Sequence, residues 1–376
     1  MTAISVNTRR DDAHISLWLL AWAAVLAATV ALYFVKDLAP WAFKYPGSMI
    51  IPLRGMLNDF MKWLMDSADF GLFTFKELTR FLSWVIEQPY SLVKSLLSTG
   101  FLEGQGSYAV EVFPRVSWVA VIIAVILLGR YAKDWKLGAL AGICFLYLAL
   151  FDQWDSAMVT LSSIVIAVPF GVAGGLLLGI AGHRSRRFNL ALVPVLDLMQ
   201  TVPVFAYLVP ILIMFGFSPV SAMIATIIYA MPPMVRVTML ALEQVPKEVV
   251  EAGRMTGCSE NQLLWKVQLP SAMHTLMIGV NQVVMLSLNM VIIASMIGAG
   301  GLGFDVLSAL KRLQIGEGLE AGLAITLLAI AMDRVSQALA RRPAPVHGLA
   351  LGKWYQRHPY ILMTLIAVAA TWILGS

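Results

Sequence analysis

Pro246-Lys247-Glu248-Val249-Val250-Glu251-Ala252-Gly253-Arg254-Met255-Thr256-Gly257-Cys258-Ser259-Glu260-Asn261-Gln262-Leu263-Leu264-Trp265-Lys266-Val267-Gln268-Leu269-Pro270 lies within a long loop, about residues 237–275, between apolar runs. Pro246 suits the first turn of a helix, where its missing N–H costs nothing. Glu248 follows where the helix dipole favours an acid. A short helix through Arg254 then meets Gly257, which permits the positive φ of a tight reversal. Ser259 caps a second short helix, with Gln262 at capping-box spacing. Leu263, Leu264 and Val267 share one face of it, and Pro270 starts or redirects the next apolar run. Ala252 and Gly253 are small enough for a partner surface to approach, and Glu251 and Arg254 offer charged hydrogen-bonding groups beside them. This is the shape of a docking knob. A loop tucked under its own bundle is the alternative.

The surrounding chain has the composition of a membrane protein. Of 376 residues, 59% are apolar and 13% charged, against about 25% charged in soluble domains. Mean hydropathy is +0.78 over the whole length, which needs several spans and excludes a soluble enzyme or a disordered chain. Membrane helices need about 20 apolar residues. Spans are expected at 17–35, 116–132, 137–154, 157–181, 195–217, 220–237, 276–297, 318–335 and 359–374. The first lacks a small-residue cleavage site and reads as an uncleaved helix.

Orientation follows from the cations of the short loops. With the N-terminus cytoplasmic, Arg9 and Arg10 lie inside, as do Arg130, Lys133 and Lys136; Arg184, Arg186 and Arg187; Arg236, Lys247, Arg254 and Lys266; and Arg334, Arg341, Arg342, Lys353 and Arg357. Only Lys311 and Arg312 fall in short outside loops. The net charge of +5 therefore reports topology and not nucleic-acid binding. The long segment 36–115 is external. Leu53, Met56, Leu57, Phe60 and Leu64 recur there at helical spacing, as do Leu78, Phe81, Leu82 and Val85. These predict amphipathic helices lying in the outer interface, or else a small helical hairpin packed on the bundle.

The domain plan is a cytoplasmic N-terminus at 1–16, a first transmembrane helix at 17–35, and the external segment at 36–115. Two peripheral transmembrane helices follow at 116–154, then a core at 155–342 containing the loop. A cytoplasmic linker at 343–358 and a C-terminal transmembrane helix at 359–376 complete it.

Glu251-Ala252-Gly253, three residues, Gly257, nine residues, then Val267-Gln268-Leu269-Pro270 resembles the "EAA" signature of ATP-binding-cassette importer permeases. The departures are Gly253 for Ala and Val267 for Ile. Met199-Gln200-Thr201-Val202-Pro203-Val204-Phe205-Ala206-Tyr207-Leu208-Val209-Pro210 is similar to the glycine betaine/proline betaine subfamily. So are Gly279-Val280-Asn281-Gln282 and the run Val291–Gly298 leading into Gly300-Gly301-Leu302-Gly303. The resemblance covers about 158–342; the C-terminal span departs from it. It implies an all-α, polytopic helix bundle of the type I importer permease fold, in a bacterial inner membrane. It also implies a second copy of the permease, cytoplasmic ATPases that bind ATP and Mg, and an external solute-binding protein. The substrate would be glycine betaine, proline betaine or a related quaternary ammonium solute, moved by alternating access. On this resemblance Glu251, Ala252, Gly253, Arg254, Gly257, Leu269 and Pro270 form the ATPase-coupling contact.

The chain lacks a GxxxxGK[ST] phosphate loop, so no ATPase chemistry or cofactor is expected within it. With 5 His and 2 Cys, and neither HExxH nor CxxC, no metal or catalytic site is expected. Pro203, Pro210, Asn281, Gln282 and Asn289 could border a translocation path, or the amides could bond to neighbouring helices. Gly171, Gly175 and Gly179, at four-residue spacing, mark a close helix contact within the subunit or at a dimer seam. Asp197 and Asp333 read as ordinary charges near span ends. The rival reading is a self-contained secondary transporter of small zwitterions, which would need an intramembrane acid or a sodium cage.

Overall fold

The structure, a computed structural model, describes residues 9–34, 47, 50–69, 71, 73–103, 110–295, 298 and 300–341. The expected linker at 343–358 and the C-terminal helix lie outside them. The chain divides into two units, Met1–Ser67 and Ala68–Ser376. In the first, helix α1 spans Arg9–Phe34 and contains the apolar stretch Trp18–Ala31. It starts before the expected 17–35 because Arg9–His14 continue the same helix. Helix α2, Leu53–Asp66, buries none of its residues.

The second unit opens with α3, Phe75–Lys94, started by a capping box between Thr74 and Glu77. Ile86 and Tyr90 of α3 are buried with Ile166, Leu208, Ile211 and Met223, while Phe81, Leu82 and Trp84 stay exposed. This helix therefore packs on the bundle by one edge and keeps a second apolar face uncovered. A two-stranded antiparallel ribbon follows, β1 Phe101–Glu103 and β2 Val110–Phe113, which an all-α reading did not expect. Its signal is the period-2 run Val110-Glu111-Val112-Phe113, closed by the edge-on pair of Phe101 and Phe113.

Helices α4, Trp118–Ala132, and α5, Trp135–Leu150, form a tight hairpin. A Cβ on Gly129 would stand 2.7 Å from Gly138 Cα. They occupy the expected peripheral spans but have 15 and 16 residues. At 1.5 Å per residue that is less than the roughly 30 Å of a bilayer core.

Among the described residues, four helices are long and apolar enough to cross a membrane: Trp154–Arg184, Pro219–Glu243, Glu260–Met290 and Ile315–Ala340. We call Trp154–Arg184 α6. Next come α7, Arg186–Thr201, and α8, Val204–Phe215. These two replace the single span expected at 195–217, with a bend of 105° between them. Val202 is extended (φ −68, ψ 131) because the ring of Pro203 disfavours a helical residue before it. Helix α9 is Pro219–Glu243. Gly171, Gly175 and Gly179 of α6 meet α9 in rising order, at Ile227, Met231/Met234 and Val235/Thr238. Helices α6 and α9 therefore run parallel, and the bent pair is the return crossing between them. The glycine stripe is packing within the subunit.

After the loop, α12 spans Leu269–Ala294 and runs antiparallel to α9, with Gly279 against Met234 and Val237. The turn at Gly300 and Gly301, both at positive φ, leads to α13, Leu302–Arg312. The Leu302 N–H donates to Thr160 Oγ1 at 3.0 Å, tying this turn to the start of α6. Helix α14, Ile315–Ala340, returns. Arg184 donates to Asn261 at 2.7 Å, and Arg341 shares a groove with His274. Lys133 and Lys136 share another with Arg334 and Arg341. These cations thus gather at the bundle end that carries the 246–270 loop.

Candidate functional site

The loop folds as its sequence dictates. Helix α10, Lys247–Met255, begins after Pro246, with Glu248 in its first turn. Its end is closed by two reversed bonds: Gly257 N–H to Arg254 O at 2.9 Å, and Cys258 N–H to Gly253 O at 3.3 Å. That pairing is the Schellman motif, made possible by φ +82 at Gly257. Ser259 N–H then donates to Gln262 Oε1 at 3.0 Å, and Gln262 N–H to Ser259 Oγ at 3.4 Å. This capping box starts α11, Glu260–Gln262. The chain continues through a π-helical stretch, Leu263–Gln268, into α12. Pro270 is the second residue of α12. A proline ring crowds the carbonyl four residues back, here Lys266, inside the widened stretch.

Gly253 does not serve a partner's approach. It is buried, and a Cβ there would lie 2.7 Å from Leu263 Cδ1 and 3.3 Å from Val267 Cγ2. Its smallness lets α10 seat on the loop's own second helix. Leu269 likewise is buried, in a cluster with Leu264, Ala272 and Leu276. Glu251, Ala252, Arg254, Gly257 and Pro270 remain exposed. The apex also carries Met255 at 82% exposure and, nearby, Trp265 at 54%. Sequence reasoning missed Met255, whose signal was an apolar side chain ending a polar helix. Arg254 and Glu260 approach to 3.7 Å with both side chains mostly exposed, a pair worth less than about 1 kcal/mol.

Asn281 and Gln282 line an open cavity of ≈ 460 Å³ together with Gln200, Pro233, Arg236 and Met285. Asn289 is exposed elsewhere on α12, Pro203 marks the bend, and Pro210 is exposed inside α8. The structure therefore gathers two of the expected path residues and leaves three apart. It adds Gln200 and Arg236. Asp197, read as an ordinary span-end charge, is ion-paired with Arg236. Asp333 accepts from Gln337 through both carboxylate oxygens, each at 2.8 Å.

Residues 171–345 match the family model described as "Binding-protein-dependent transport system inner membrane component". The glycine betaine/carnitine transport permease protein GbuB of Listeria monocytogenes is 41% identical over 228 residues, 60% of this chain and 81% of that protein. The chain belongs to this family. The trimethylamine N-oxide transport system permease protein TmoV of Ruegeria pomeroyi is 35% identical over 349 residues, 92% of this chain and 51% of that one. The glycine betaine/proline betaine transport system permease protein ProW of Escherichia coli is 43% identical over 228 residues, 61% of this chain and 64% of that one. The chain thus spans about half the length of TmoV and under two thirds of ProW.

The family match begins at Gly171, the first residue of the buried glycine stripe, and runs through the loop, α12 and α14. What the permease family names as a membrane component is therefore the part of this chain built on α6, α9 and α12. The members of this family are transport subunits and not catalysts.

Proposed function

We propose that this chain is the membrane-spanning permease subunit of an ATP-driven importer for glycine betaine, proline betaine or a related quaternary ammonium compatible solute. The observation that carries this reading is the loop apex. Glu251, Ala252, Arg254 and Met255 project from a helix that is capped at its end and seated on Leu263 through Gly253. An exposed apolar tip on a stiff charged knob fits a protein partner. The chain lacks a phosphate loop, so the partner is a cytoplasmic ATPase that binds ATP and Mg. A solute-binding protein delivers substrate on the other side, and a second copy of the permease completes the path. ATP binding closes the ATPase pair, the knobs move with it, and the helices tip between inward- and outward-facing states. In the inner membrane the cation-rich end, the loop and the N-terminus are cytoplasmic. The substrate class follows the names of the relatives.

The test is ATP hydrolysis and solute uptake in liposomes holding this chain with its cognate ATPase and binding protein. Glycine betaine, proline betaine, choline, carnitine and trimethylamine N-oxide are added in turn. Stimulated hydrolysis with accumulation of one of them is expected. A stable complex stimulated by none moves the substrate outside this group. Failure to bind any ATPase returns the secondary-transporter reading.

A further inference from the structure

We propose that Arg236 and Asp197 form a binding site for a small zwitterion within the permease, Arg236 taking the solute's carboxylate and Asp197 its quaternary ammonium. The proposal rests on the transport reading above and adds a site to it.

The two charges sit on α9 and α7, with side chains 39% and 57% exposed. Arg236 is seven residues short of the end of α9 at Glu243, roughly 10 Å along the helix axis. Charged side chains on membrane helices gather where water, protein or other polar groups meet them. The surface around this pair is polar. Gln200, Asn281 and Gln282 join Arg236 in lining the ≈ 460 Å³ cavity, within the about 300–1,000 Å³ usual for small-molecule sites.

The polar atoms there are incompletely used. Arg236 donates through Nη2 to Asp197 Oδ1, while its Nε is buried with no hydrogen-bond partner. Asn281 Oδ1, on the same cavity, is also buried and unpartnered. Buried polar atoms are normally satisfied, so both side chains keep unused hydrogen-bonding capacity beside this cavity. A guanidinium carries five N–H donors, so Arg236 can hold a carboxylate while still touching Asp197. A quaternary ammonium has no N–H and can be held only by charge or by a π face. Asp197 supplies the charge. The cavity thus offers a cation and three amides, and the anion Asp197, ion-paired to that cation, stands beside it, a set suited to a solute that carries both signs.

The experiment uses the full complex of permease, ATPase and binding protein in liposomes, reading glycine betaine accumulated per ATP hydrolysed. Arg236→Gln and Asp197→Asn are each expected to lower that ratio at least about tenfold. The exchanged pair Asp197→Arg with Arg236→Asp should assemble yet stay low, because the charges face the solute in the wrong order. Wild-type complex that moves no quaternary ammonium solute overturns the transport reading and this site with it. Active wild type with both single variants within about twofold of it overturns the site alone, as does recovery by the exchanged pair, which would make the pair purely structural. Should the charge variants fail to assemble, Gln282→Cys in a Cys258→Ser background keeps the pair intact. Glycine betaine, and not glycerol, should slow its labelling by a maleimide at least about threefold; equal rates overturn the site.

Discussion

Gly253 and Leu263 close on each other so tightly that a Cβ on residue 253 would stand 2.7 Å from Leu263 Cδ1. Helix α10 and the helical stretch that follows it are therefore one packed unit, and a force on α10 would reach α12 through side-chain contact as well as through the backbone.

Gly253→Ala tests the slack in that contact. Alanine favours the helix interior by about 1 kcal/mol over glycine, and the atom it meets is the free end of Leu263. The two effects should offset to within about 1 kcal/mol. Gly253→Leu cannot be absorbed and should cost about 1–3 kcal/mol by overpacking while lowering uptake per ATP. Thermal unfolding of the purified complex reads the first effect. An unshifted midpoint for Gly253→Leu would show that the two helices are not locked.

Gly257 poses the opposite problem. Nothing lies within 4 Å of a Cβ there, but φ is +82, so any cost is conformational. Gly257→Asn should be tolerated, because asparagine visits this region at little cost. Gly257→Val should leave the chain folded but uncouple hydrolysis from uptake, and Gly257→Pro should further remove the N–H bonded to Arg254 O. Uptake and hydrolysis measured side by side decide it. Normal uptake by well-expressed Gly257→Val would end the coupling role of this turn.

The α6–α9 contact leaves less freedom. A Cβ on Gly179 would meet Thr238 Cβ at 2.5 Å and Val235 O at 2.9 Å, neither at the end of a flexible side chain. Gly179→Ala should force the two helices apart and reduce folded yield from membranes severely, by at least about tenfold. Gly182→Ala meets the yielding Met239 Sδ instead and should cost much less. Equal yields for the two variants, measured by fluorescence-detected size exclusion, would refute the difference.

Thr160 holds the glycine turn. Thr160→Val removes the acceptor of the buried Leu302 N–H and should destabilise by about 1–3 kcal/mol. Thr160→Ser keeps the hydroxyl and should cost less. Matching melting temperatures for the two variants would show that the bond contributes nothing.

Local chemistry made the loop legible. Pro246, Gly257 and the Ser259–Gln262 box act within a few residues of themselves, and each stands where its sequence places it. The spans α6, α9, α12 and α14 were legible for the same reason, being long apolar runs. What escaped depends on distance along the chain. The bend at Val202–Pro203 interrupts an apolar run that reads as continuous by hydropathy alone. Gly253 looked outward-facing until Leu263 was brought onto it. Asp197 and Arg236 lie 39 residues apart, and only the parallel run of α6 and α9, with the bent crossing between, brings them together.

The widened stretch Leu263–Gln268 has a consequence for motion. A π turn carries one residue more than an α turn, and each helical residue corresponds to about 100° of rotation. If that turn tightened, the surplus residue would pass into α12 and swivel everything beyond it by about that angle relative to α10. Asn281 and Gln282 border two grooves, one with Arg236 and one with His274 and Arg341. Such a swivel would turn both amides relative to Arg236 and Arg341, so a push on the loop would reach the cavity as rotation.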